Sequence, residues 1–138
     1  MNNIFILDAC ALIALLAGEP GAEKVKSVIQ GAIDEKITVR MNQINLLEVY
    51  YHIINVYGQN EANTVLEKIK QFPIEIITEL SGNVFKEAGR IKSKYKIPLG
   101  DSITVAECII GKGVLITSDH TGLDKIENAE NIKIDWFR

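Results

Sequence analysis

The chain has 138 residues, of which 47% are hydrophobic, 24% charged and 7% aromatic, with a formal net charge of −3. That length suits one domain, 1–138, with a buried core, and the apolar content excludes a disordered chain. The acidic balance gives no basic surface for nonspecific capture of nucleic acid, no apolar run approaches the ~20 residues of a membrane span, and Cys10 and Cys108 lack the spacing of a disulfide framework or a structural zinc site. The start Met1-Asn2-Asn3 has no basic region or cleavage site of a signal peptide, so a cytoplasmic protein with reduced thiols is expected.

Ile4 to Leu7 is an apolar run of strand length that ends on Asp8. Ala11 to Ala17 is apolar nearly all round, a short buried helix closed by the loop signal Gly18-Glu19-Pro20-Gly21. Ala22 to Asp34 places Val25, Val28, Ile29 and Ala32 at helical spacing among charged residues, an amphipathic helix. Ile37 to Met41 has the β-branched content of a strand. Asn42 is placed to cap a helix running to about Tyr57, with an expected apolar stripe of Ile44, Leu47, Tyr51, Ile54 and Val56. Gly58 ends it, and Asn60 is the expected cap of a further helix that stops at Phe72-Pro73.

Ile74 to Thr78 reads as the next strand. Ser81 or Asn83 then opens a helix to about Lys96, with Val84, Phe85, Ala88 and Ile91 inward. Asp101 stands at the first turn of a helix from Ser102 to Lys112, whose Ile103, Val105, Ala106, Ile109 and Ile110 are core-like. Val114 to Thr117 is a short strand that runs into Ser118-Asp119, repeating the opening pattern. A helical turn around Leu123 to Glu127 and a strand at Ile132 to Ile134 complete the chain. This alternation predicts an α/β fold, a mostly parallel sheet with helices on both faces.

Asp8 and Asp119 follow strands, Asp101 begins a helix, and Glu48 interrupts an otherwise apolar stretch of helix. Taken singly, Asp8 serves equally as a helix cap, and Glu48 as a surface residue beside Asn45 and His52. Taken together, acids at the carboxyl ends of strands face the crevice where open α/β sheets bind ligands. Carboxylates gathered without a cation repel one another, and a divalent ion between them restores their ionised state. All-oxygen donors suit Mg²⁺ or Mn²⁺, and such an ion beside a phosphate implies phosphodiester hydrolysis.

Four segments together resemble the PIN-domain ribonucleases, and within them the VapC-type toxins of toxin–antitoxin modules. They are Ile6-Leu7-Asp8-Ala9-Cys10-Ala11 with Gly18-Glu19-Pro20-Gly21, Asn45-Leu46-Leu47-Glu48-Val49-Tyr50-Tyr51, Leu99-Gly100-Asp101-Ser102, and Leu115-Ile116-Thr117-Ser118-Asp119. The resemblance runs from end to end and implies a three-layer α/β/α PIN-like domain. It further implies that Asp8, Glu48, Asp101 and Asp119 form a catalytic Mg²⁺ or Mn²⁺ site, supported by Thr117 or Ser118, which cleaves RNA. A small antitoxin and a homodimer are the partners it implies. Two departures stand out. Cys10 occupies the position where the family commonly has a hydroxyl, a weak hydrogen-bonding group in a supporting place. Beyond Asp119 the pattern is irregular, which leaves Asp124 a secondary candidate.

His52 and His120 are expected in structural or surface roles, and Tyr51 and Phe72 in the core. Lys86, Arg90, Lys92, Lys94 and Lys96, just upstream of Asp101, form a candidate RNA-binding stripe that reads equally as a solvated helix face. Two rival functions remain. A catalytically inactive PIN-like RNA-binding or scaffold protein would keep the fold without the chemistry. An Asp-based phosphoryl-transfer domain is the other, disfavoured because Cys10 stands where a second acid would be needed.

Overall fold

The computed structural model describes residues 3–80 and 82–138. Its centre is a five-stranded sheet in which every pairing is parallel, in the order β3-β2-β1-β4-β5. The strands are β1 (Asn3–Leu7), β2 (Ile37–Asn42), β3 (Ile74–Ile77), β4 (Val114–Thr117) and β5 (Lys133–Trp136). A parallel sheet needs crossover helices, which are α1 (Ala9–Ala17), α2 (Ala22–Ile33), α3 (Gln43–Tyr57), α4 (Gln59–Ile69), α5 (Gly82–Lys94), α6 (Leu99–Gly111) and α7 (His120–Ala129).

Successive side chains of a strand point to opposite faces, and the core divides accordingly. Leu7, Val39 and Ile116 pack with Ala11, Ala14, Val25 and Ile29 of α1 and α2. Met41 packs with Leu12, Val49, Ile53, Ala62 and Ile69 of α1, α3 and α4. Ile6 and Leu115 turn the other way, against Ile91 of α5, Val105 and Cys108 of α6, and Leu123 and Ile126 of α7. The result is the expected three-layer α/β/α arrangement, with the sheet wholly parallel.

The strand order reverses its direction of growth at β1, whose neighbours are β2 on one side and β4 on the other. The carboxyl ends of β1 and β4 therefore flank a topological switch point, where the crossovers diverge and leave a crevice. Asp8 leaves β1 directly into α1, and Asp119 lies two residues beyond β4.

Several expectations are corrected. The buried face of α3 is Asn45, Val49 and Ile53, whereas Ile44, Leu47, Tyr51 and Val56 are exposed and Ile54 is half-buried. The helix is apolar on more than one side, so periodicity alone misplaced its inward face, and Tyr51 with it. Phe72 does pack against the core. Phe85 and Ile110 are exposed rather than inward. Asn60 does not cap α4, which begins at Gln59 after Gly58 with no side-chain cap. The turn near Leu123 is a ten-residue helix. Ser81 lies outside the described residues, and Gly82 is the first residue of α5. Among the described residues no helix is long and apolar enough to cross a membrane.

Candidate active site

Asp8 is the helix cap that its position suggested, and it also meets the end of β4. Its Oδ1 accepts the Ala11 N–H at 3.0 Å as the N-cap of α1, and its Oδ2 accepts the Thr117 hydroxyl from the end of β4. The residue is only 4% exposed. Burial pushes its carboxyl group above the ordinary value, against the lowering effect of the Thr117, Cys10 and Ala11 hydrogen bonds, while the charge of Asp119 raises it further.

Cys10 bonds Asp8 despite having a thiol in place of a hydroxyl. Its thiol lies 3.0 and 3.2 Å from the two Asp8 oxygens and accepts the Ser118 N–H at 3.5 Å. Burial and the neighbouring Asp8 charge push the thiol up to about 11, so it remains protonated and able to donate. Thr117 Oγ1 also accepts the Asp119 N–H at 3.1 Å, which fixes the backbone that carries Asp119. Ser118 contributes its N–H to Cys10 and its hydroxyl oxygen to Arg138 Nη2 at 3.2 Å.

Asp101 sits in the first turn of α6 and Glu48 in the middle of α3, both half-buried. Burial, then the charges of Asp8, Asp119 and Glu48, lift Asp101 to about 7. Glu48 is raised by burial and by Asp8. Asp8, Asp119 and Glu48 thus act on Asp101, and Asp8 acts on Glu48, with no lysine or arginine among the leading influences on Asp8, Glu48 or Asp101. Such a donor set fits a hard divalent ion, whose charge would reverse these upward shifts. Among the described residues, however, no three His, Cys, Asp or Glu side chains are gathered as a ready metal cage. The residues fit the ion in chemistry, since Mg²⁺ is usually held by one or two carboxylates and completes its shell with water.

One wall of the site was missed by sequence reading. A Cβ at Gly100 would lie 2.6 Å from Glu48 Oε1, so the absence of a side chain there lets the Glu48 carboxyl group rest against α6. Behind it, Asn45 Nδ2 donates to Thr104 Oγ1 at 2.6 Å and Asn42 Nδ2 to the same oxygen at 3.1 Å, while Thr104 donates to the Gly100 carbonyl at 3.0 Å. Asn42 also reaches Glu107 Oε1 at 2.9 Å and caps α3 through Asn45 N–H. The i, i+3 spacing of Asp101, Thr104 and Glu107 along α6 was the available signal.

The remaining candidates lie elsewhere. His120 stacks on Trp136 with ring centroids 3.9 Å apart, and its two ring nitrogens meet Asp124 Oδ1 and the Arg138 carbonyl, each at 2.9 Å. Asp124 is thus committed to His120 and not to the acidic cluster. His52 is exposed beside an apolar groove between α1, α3 and α4. The basic stripe is exposed, and part of it is engaged by other groups of the chain. Arg90 bonds Glu87 and Glu130, Lys94 approaches Glu130 at 3.4 Å, and Lys92 donates to the Ile97 carbonyl at 2.8 Å. Lys86 and Lys96 have no such bond among the described residues.

The PIN-domain family model matches residues 5–128. The chain belongs to the PIN-domain family. No curated protein matches it significantly in sequence. Among solved structures this PIN domain is similar to VapBC2 from Rickettsia felis bound to a promoter DNA fragment, at 16% identity, TM-score 0.73 and coverage of 96% of this chain and 98% of that one. VapBC-1 from nontypeable Haemophilus influenzae gives 13% identity, TM-score 0.71 and coverage of 97% and 98%. A toxin–antitoxin complex from Klebsiella pneumoniae gives 18% identity, TM-score 0.65 and coverage of 96% and 97%. At these identities the likeness is one of fold.

Proposed function

We infer that this PIN-domain protein is a divalent-metal-dependent endoribonuclease, the toxin of a VapBC-type toxin–antitoxin pair acting in the cytoplasm. The observation that carries the reading is the meeting of Asp8, Glu48, Asp101 and Asp119 at the switch point, where the charges of Asp8, Asp119 and Glu48 all bear on Asp101. Asp8, Glu48, Asp101 and Asp119 would hold Mg²⁺ or Mn²⁺. When bound, the ion polarises the scissile phosphodiester and lowers the pKa of water.

The chain's own residues prepare that chemistry. Thr117, Cys10 and the α1 N-terminus fix both oxygens of Asp8. Thr117 sets the backbone at Asp119, and α6 presents Asp101 from its first turn. Asp101, near 7, takes up or releases its proton close to neutrality, so ion loading competes with that proton.

For partners, the neighbouring complexes support an antitoxin. A groove of about 440 Å³ lined by Ile13, Leu16, Ile53, Val56 and Val65, with Glu19 and Glu61 among its polar residues, suits an amphipathic segment carrying basic residues. Exposed Ile44, Leu47, Tyr51 and Leu99 on α3 and the start of α6 support a homodimer formed beside the site. RNA contact falls to Lys86 and Lys96, the two members of the basic stripe without internal bonds.

The alternative is an inactive PIN-like scaffold, which would keep the fold and bind RNA without the ion chemistry. Incubation of a structured RNA with the protein in EDTA, Mg²⁺ or Mn²⁺ separates the two. Ion-dependent cleavage that Asp8→Asn abolishes is expected, whereas ion-independent RNA binding without cleavage would select the scaffold.

A further inference from the structure

Asn45 is fully buried, and its Oδ1 has no hydrogen-bond partner among the described residues. Buried acceptors are nearly always paired, and an exception in a polar site calls for a donor that the folded chain does not itself provide. The amide orientation is fixed by the other end, because Nδ2 donates to Thr104 Oγ1 at 2.6 Å and Thr104 spends its own proton on the Gly100 carbonyl. Oδ1 therefore faces the notch above Gly100, lying 3.6 Å from where a Cβ would stand, the point that Glu48 Oε1 approaches to 2.6 Å.

Two oxygens, one neutral and one acidic, thus border the same notch. In its present position Glu48 Oε1 rests over Gly100 and covers that notch. A carboxyl group turned from there toward Asp8 and Asp101 would vacate the space over Gly100 and uncover Asn45 Oδ1. A space bordered by two acceptors and a glycine is polar and is matched in chemistry to one water.

We propose that Asn45 is a positioning residue for Glu48: when Glu48 turns to a divalent cation, Asn45 Oδ1 accepts a hydrogen bond from a water in the Gly100 notch that donates its other proton to the carboxylate. The amide is immobilised by Thr104, so it holds the engaged position of Glu48 without touching the ion or the substrate. This rests on the metal-site reading above, and the test separates the two.

The test is Mn²⁺ titration by calorimetry on the full chain, with melting temperature measured without the ion. Mn²⁺ binding by the wild type that Asp101→Asn abolishes establishes the ion site itself; no binding by the wild type overturns both readings. With the site established, Asn45→Leu, an apolar replacement of similar size, is expected to weaken Mn²⁺ about tenfold, as loss of an outer hydrogen bond does at metal sites. Unchanged affinity with only a shifted melting temperature would make Asn45 structural and overturn the proposal. Gly100→Ala gives an independent reading that does not depend on the fate of Asn45→Leu. Its Cβ meets only the far end of Glu48 closely, with Ile44 at 3.4 Å, so a shift of that flexible side chain is expected to accommodate it with the fold retained. Filling the notch is expected to weaken Mn²⁺ comparably, and affinity equal to or tighter than wild type would overturn the proposal. Where both variants fold, the double variant should bind no more weakly than the weaker single, since both remove the same bridge; additive losses would overturn it.

Discussion

The Thr117 hydroxyl donates to Asp8 across 109 residues of sequence, and it accepts the Asp119 N–H with the same oxygen. One side chain at the end of β4 thereby sets the orientation of two acids on different strands. Thr117→Val preserves the shape of the strand and removes both bonds. We expect a loss of about 10- to 100-fold in Mn²⁺ affinity and in RNA cleavage with the fold retained, measured by calorimetry and single-turnover kinetics.

Cys10 performs the same kind of service with a thiol. A hydroxyl makes stronger hydrogen bonds than a thiol, so Cys10→Ser should keep or raise cleavage, while Cys10→Ala, which leaves Asp8 short of a donor, should lower it severalfold. Since the thiol is held near 11 and Cys108 is buried, iodoacetamide at pH 7.5 should label the native protein slowly and the urea-unfolded protein at both cysteines. Rapid labelling of native Cys10 would contradict this account of its environment.

The raised acids carry a definite pH signature. Asp101 lies near 7 in the folded state against 3.8 for the ordinary carboxyl, so between about pH 4 and 7 the folded chain binds more protons than the unfolded one. Stability of the ion-free protein should therefore fall as pH rises through that window, as melting temperatures across pH 4–8 would show. Mn²⁺ should reverse the slope, because it stabilises the ionised acids, and Mn²⁺ affinity should rise with pH up to about 7. Asp101→Asn should flatten the ion-free profile and raise stability at pH 8 by about 1–2 kcal/mol, the usual direction when a site residue is neutralised.

Glu130 gives the opposite slope. Its side chain is 7% exposed and is bonded by Arg90 at 2.6 Å, Tyr95 at 2.6 Å and Lys94 at 3.4 Å, which holds the carboxyl down to about 2. A depressed acid stabilises the fold above its ordinary pKa, and that contribution is lost as pH falls from about 4.5 toward 2. Glu130→Gln should cost about 1–2 kcal/mol in urea denaturation at pH 7 while leaving cleavage rates within a factor of two. A large effect on cleavage would bring the α5 stripe back as a substrate contact.

The meeting of Asp8, Glu48 and Asp119 around Asp101 was legible because a charged residue at the end of a buried strand or inside an apolar helix conflicts with its surroundings unless it is paired or bound. The parallel sheet was legible because strands and helices alternate with clear breaks at Gly18 to Gly21, Gly58 and Pro73. The inward face of α3 was not, because Asn45 reads as a surface residue and Ile44, Leu47 and Tyr51 as core. Their roles invert only when Thr104, 59 residues away, supplies the partner that makes burial of the amide tolerable. The internal bonds of Arg90 and Lys94 were hidden for the same reason, since Glu130 comes 40 and 36 residues later.

Because β1 pairs on one side with β2 and on the other with β4, a growing chain can join β1 to β2 long before the second half of the crevice exists. Asp8 and Glu48 emerge early, yet the Thr117 bond that orients Asp8, and Asp119 itself, require the last quarter of the chain. Nonlocal pairing of this kind closes late. For a protein inferred to act on RNA, that order has a consequence: a chain that has reached only the end of α5 carries two acids of the four and lacks the Thr117 bond that orients the first of them.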